Sequence, residues 1–60
     1  MKHHEIRKGK NGWTEAEVTA PNGLKIAYSW FAGVREAETW CYAAVRYLYG
    51  AETANREFKK

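Results

Sequence analysis

The dipeptide Asn-Gly occurs twice in this chain, at Asn11-Gly12 and Asn22-Gly23, and no other feature restricts its folding as tightly. Asparagine hydrogen-bonds its own backbone in a turn, and glycine enters the left-handed region without a Cβ clash, so each pair marks a reversal of direction. Three strand-length pieces result, at about 2–9, 13–20 and 24–31, the last two rich in aromatic or β-branched residues. The expectation is a three-stranded antiparallel meander. A three-residue loop at Pro21-Asn22-Gly23 pairs Ala20 with Leu24, Val18 with Ile26, Ala16 with Tyr28 and Thr14 with Trp30. That register gathers the apolar residues on one face. The other face then shows Thr19, Glu17, Glu15 and Trp13 beside Lys25, Ala27, Ser29 and Phe31, a polar surface with an aromatic pair at one end.

Ala32-Gly33 breaks the third strand, and the period then changes from two to 3.6. Val34, Ala37, Cys41, Ala44, Val45 and Leu48 recur at helical spacing, so a helix is predicted over about 34–49 with Gly50 just past its end. Glu36 and Glu38 suit the positive end of its dipole, and Arg46 the negative end. The fold class is therefore α+β, a three-stranded antiparallel sheet packed against one helix. Tyr28, Trp30 and Trp40 are expected in the core, and Trp13, Tyr42, Tyr47 and Tyr49 at the surface. Residues 51–60 read as a tail in which Phe58 alone offers an anchor.

Length limits what else is possible. A chain of 60 residues buries only about 60% of the surface it exposes when unfolded, which permits one small domain and one thin core. A single cysteine rules out an internal disulfide, and His3-His4 gives no spacing for a structural metal, since neighbouring strand residues face opposite ways. That pair is expected to be a solvated terminus. No apolar run approaches the roughly 20 residues of a membrane span, and the chain opens into charge where a signal peptide would be apolar. A cytoplasmic protein, monomeric or weakly dimeric, is the expectation.

The segment from Phe31 to Gly50 resembles the helix of the ethylene-response-factor (Apetala-type) DNA-binding domain, which also occurs in phage homing endonucleases and, in related form, in tyrosine integrases. Phe31, Ala37, Ala43, Ala44, Leu48, Tyr49 and Gly50 match its strand end, Ala-rich helix and closing Leu-aromatic-Gly, and Ala16-Glu17-Val18 is similar to its second strand. The resemblance implies a sheet that enters the major groove of duplex DNA. It also implies a phage or mobile-element background. Here the face that would meet DNA is poor in arginine, and Glu15 and Glu17 would oppose phosphate instead of releasing counterions.

Catalytic residues are scarce. The chain has no Asp, its one thiol falls in the predicted sheet-facing stripe, and Glu15 and Glu17 sit on a flat sheet that offers no cleft to shift a carboxyl pKa. No enzyme activity, cofactor or metal is called for. The surplus is aromatic, with three Trp, four Tyr and two Phe in so short a chain. Tyr42, Arg46 and Tyr49 recur at i, i+4 and i+7 on the helix, with Arg35 on the same side, and Tyr and Arg are enriched in interface hot spots. These residues and Trp13 are the expected contacts to a partner. The expected function is a small non-catalytic binding protein that inhibits a host protein or nucleoprotein complex, in the manner of an anti-CRISPR or polymerase inhibitor. The alternative is a DNA-binding domain in which Arg7, Lys8, Lys10 and Lys25 hold phosphates and Trp13 lies near the bases.

Overall fold

The computed structural model describes residues 2–59, so Met1 and the last residue of the expected tail, Lys60, lie outside the described residues. Strands β1 (His4–Lys8), β2 (Thr14–Thr19) and β3 (Lys25–Phe31) form an antiparallel sheet in the order β1-β2-β3, followed by helices α1 (Val34–Tyr49) and α2 (Ala51–Phe58). The two turns are built alike. Gly9 N–H donates to the Trp13 carbonyl at 2.7 Å, as Ala20 N–H does to Leu24 at 2.8 Å, and the side chains of Asn11 and Asn22 each accept the amide two residues on. Gly12 and Gly23 stand at φ 86° and 89°, the conformation that these turns require of their last residue.

The register keeps the expected pairs Ala16–Tyr28 and Val18–Ile26, then shifts. Thr14 pairs with Phe31 instead of Trp30, so a β-bulge adds one residue to β3 beyond Tyr28. Because side chains alternate along a strand, that extra residue exchanges the faces of its neighbours. Phe31 turns inward against Tyr28 and Trp40, at ring distances of 4.7 and 5.6 Å, and Trp30 turns outward beside Trp13 at 6.1 Å. The expectation of Trp30 in the core and Phe31 on the polar face is thus reversed.

The core consists of small side chains. Ala16 and Val18 of β2 pack on Ala37, Cys41 and Val45 of α1 and on Ala54 of α2, and the largest fully buried residues are two valines and the cysteine. Val34, predicted to join this stripe, lies exposed at the first turn of α1, while Ala44 and Leu48 are partly buried. Helix α1 lies over β2 and β1 and meets β3 chiefly through Trp40, whose ring is 6.5 Å from Tyr28.

The expected tail is a second helix. Gly50, at φ 101°, closes α1 by donating its N–H to the Arg46 carbonyl, and its own carbonyl accepts from Ala54 to open α2. Helix α2 then doubles back along α1. Phe58 inserts between His4, stacked on it at 4.3 Å, and Tyr42, edge-on at 5.6 Å. The helical layer is therefore displaced towards β1, and the inward side of β3 is left largely uncovered.

Candidate functional site

Three surfaces bring the candidate residues together, and each is built differently. On the outer sheet face the register sets Arg7 opposite Glu15 and Glu5 opposite Glu17. Arg7 donates to both Glu5, at 2.9 Å, and Glu15, at 2.8 Å. The one arginine of this face is thus spent on neutralising its carboxylates. Lys8, one residue on, points to the other side of the sheet, Lys10 lies in the first turn, and Lys25 is on the outer face across from Thr19. Arg7, Lys8 and Lys10 still come together around the first turn, where they line one pocket with Gly9, Asn11, Glu15 and Ser29, while Lys25, the fourth cation of the DNA-binding alternative, lies at the opposite end of the sheet. Trp13, with Trp30, forms an exposed aromatic pair at the end of this face.

The second surface is the outward side of α1. Arg35 and Tyr42 are brought together with Glu38, Thr39 and Phe58 around a groove of about 420 Å³ between the two helices. Arg46 is exposed near the end of α1. Tyr42 and Tyr49, however, are working parts of the fold. The Tyr42 hydroxyl donates to the Asn55 side chain, and its ring holds Phe58. The Tyr49 hydroxyl donates to the Thr19 carbonyl, and its ring stacks on His3 at 4.0 Å. The expected run of Tyr42, Arg46 and Tyr49 as three free contacts is corrected accordingly, because α2 engages the Tyr42 ring and His3, just ahead of β1, the Tyr49 ring. Tyr47, which sequence reasoning left out of the contact set, is 90% exposed.

The third surface runs along β3. Leu24, Ile26 and Tyr28 share the inward side of the sheet, yet they are 61%, 38% and 46% exposed because no helix covers them. Trp40 of α1 borders this row, its ring 6.5 Å from Tyr28. Sequence reasoning missed it because the periodicity of β3 gives its apolar side but not whether a helix lies over that side.

His3 and His4 form the remaining cluster, and they are not a solvated terminus. The His3 ring meets one carboxylate oxygen of Glu57 at 2.7 Å, the His4 ring meets the other, and the His3 amide donates to Glu57 at 2.9 Å. Each imidazole takes its own oxygen, and among the described residues no group of His, Cys, Asp or Glu is arranged to hold a metal. Burial pushes the Glu57 carboxyl up, but the hydrogen bonds from His4, His3 and the His3 amide, with the neighbouring His4 charge, hold it below its ordinary value. The same burial, with Glu57 and Glu38 nearby, pushes the Cys41 thiol up to about 11, so it stays protonated and a poor nucleophile at neutral pH. The cluster clamps α2 to β1.

No helix among the described residues is long and apolar enough to cross a membrane. Compared with protein-family models, curated proteins and solved structures, the chain finds no match.

Proposed function

We propose that this chain is a small non-catalytic binding protein that docks on a host protein or nucleoprotein complex through exposed aromatic side chains. The supporting observation is where the large apolar residues lie: the core uses Ala, Val and Cys, while Trp13, Leu24, Ile26, Tyr28, Trp30 and Tyr47 are all exposed. Exposed aromatic and aliphatic patches such as the Trp13–Trp30 pair mark interaction sites. Arg7, held by two glutamates, and Glu17 on the same face favour a protein partner over a polyanion. The Trp13–Trp30 pair is the anchor of this reading, with Arg35, Arg46 and Tyr47 as further contacts. An inhibitor of host machinery, such as a CRISPR effector or an RNA polymerase, fits the small size and the phage-type resemblance.

The DNA-binding alternative draws on one observation, a three-stranded sheet with a helix behind it, which is the architecture the resemblance implies. Salt separates the two readings. Pull-down from host extract, with mass spectrometry, is expected to retain its partner at high ionic strength and lose it on Trp13→Ala with Trp30→Ala. Binding to labelled duplex DNA that weakens steeply with salt and disappears on Lys8→Ala with Lys10→Ala would decide for DNA.

A further inference from the structure

We infer that the β3 edge is a self-association surface on which a second copy of this chain adds its own β3, giving a continuous six-stranded sheet with two-fold symmetry. The inference goes beyond the proposed function and needs no host partner.

Backbone geometry comes first. β3 is an outer strand, since β2 lies at the centre of the sheet. Ala20 donates to the Leu24 carbonyl, and in an antiparallel pair every second residue spends both its N–H and C=O on the same neighbour. Ile26 and Tyr28, opposite Val18 and Ala16, are thus bonded to β2. The N–H and C=O groups of Lys25, Ala27 and Ser29 face the open edge. Natural edges are usually protected by charged side chains, above all lysines, by prolines, bulges, short length or a covering element. β3 is seven residues long and has no proline; its one charge is Lys25 at the start, and its bulge lies beyond Tyr28.

Side-chain chemistry then selects the occupant and the register. When two β3 strands pair antiparallel about Ala27, Ala27 meets Ala27 and Lys25 meets Ser29 of the second copy, all through groups that face the edge. Ile26 then lies opposite Tyr28 of the second copy, and Tyr28 opposite its Ile26, in the non-hydrogen-bonded positions where strands approach to about 4.5 Å. Aliphatic–aromatic pairs of this kind are favourable across strands. The two Lys25 side chains stay apart, and a methyl group occupies the axis on the outer face. On the inner face, Leu24, Ile26 and Tyr28 of both copies lie between the two α1 helices, bordered by the Trp40 rings. The two rows lie side by side, so each shields the flank of the other along the shared edge.

Sedimentation of the whole chain over a concentration series tests this. The mass is expected to rise from 6.9 kDa towards twice that value. In the same range the amides of Lys25, Ala27 and Ser29 should become protected from hydrogen exchange. Ala27→Glu and Ala27→Lys each place like charges at the axis and should weaken the dimer on the order of tenfold. Circular dichroism should show both still folded, because Ala27 faces solvent on the outer side. An equal mixture of the two should recover dimer, since the opposite charges then meet. A chain that stays monomeric up to about 1 mM would overturn the inference. So would a dimer that neither charge variant weakens, or one in which those three amides exchange as they do in the monomer.

Discussion

β2 and β3 present apolar residues to the same side of one sheet, and they meet opposite fates. Val18 is fully buried, whereas its cross-strand partner Ile26 is 38% exposed. Composition does not explain the difference, because β3 has the larger and more apolar side chains. Position does. α1 is held over β2 by Ala37, Cys41 and Val45, small residues that permit close approach, and is drawn towards β1 by α2 and the clamp of Glu57 on His3 and His4. A 60-residue chain has one helical layer and cannot cover three strands evenly. The strand left over carries the apolar row that the structure assigns to association.

The sharpest way to break this contrast is to place the same charge on both strands. Val18→Asp buries an unpaired carboxylate and should cost more than about 4 kcal/mol, most of what so small a domain has, so no cooperative melt should remain. Ile26→Asp, directly across, should cost about 1 kcal/mol in dilute solution and leave the melt intact. Equal losses would mean that α1 covers both strands.

The displacement of the helical layer can be probed at its far end. Phe58→Ala removes the ring wedged between His4 and Tyr42 and should cost about 2 kcal/mol, less than a fully buried Phe. Far-UV circular dichroism should show the loss of α2 while the sheet and α1 persist, and Tyr28 should become less exposed if α1 relaxes towards β3. Retained α2 helicity would show that the ring does not hold it.

A smaller effect comes from acid. The Glu57 carboxyl is lowered in the folded chain relative to its ordinary 4.5, so the unfolded chain binds the proton more tightly. Its contribution is complete above 4.5 and is lost as pH falls through the lower, folded value. The groups that face it are His3, His4 and the buried Cys41. Urea midpoints measured from neutral pH down to about pH 3 should fall, and Glu57→Gln should flatten that fall. An identical profile for the variant would remove Glu57 from the acid response. The smallest effect is expected at Arg7→Ala. Its exposed ion pairs with Glu5 and Glu15 should contribute less than about 1 kcal/mol, and a larger loss in thermal melts would mean that the outer face helps to hold the fold.

Much of this was legible in the residues. Two Asn-Gly turns dictated the meander, alternation through Ala16 and Val18 dictated its apolar side, and the 3.6-residue spacing of Ala37, Cys41 and Val45 dictated α1, because each signal is local and periodic. The bulge after Tyr28 has no such signal, and it exchanged Trp30 with Phe31. α2 was obscured because Ala54 and Phe58 are its main apolar contacts in a polar run, and its stability comes from partners outside it, Tyr42 of α1 and the distant His3 and His4. For the same reason His3, His4, Tyr42 and Tyr49 looked solvated in sequence and are engaged in the fold. Sequence alone determined which side of each strand is apolar, since that is a property of neighbouring residues. Only the tertiary structure decided which apolar side is covered, since a single helix has to choose between strands and the choice is made by contacts more than 30 residues apart, such as those between His3 or His4 and Glu57.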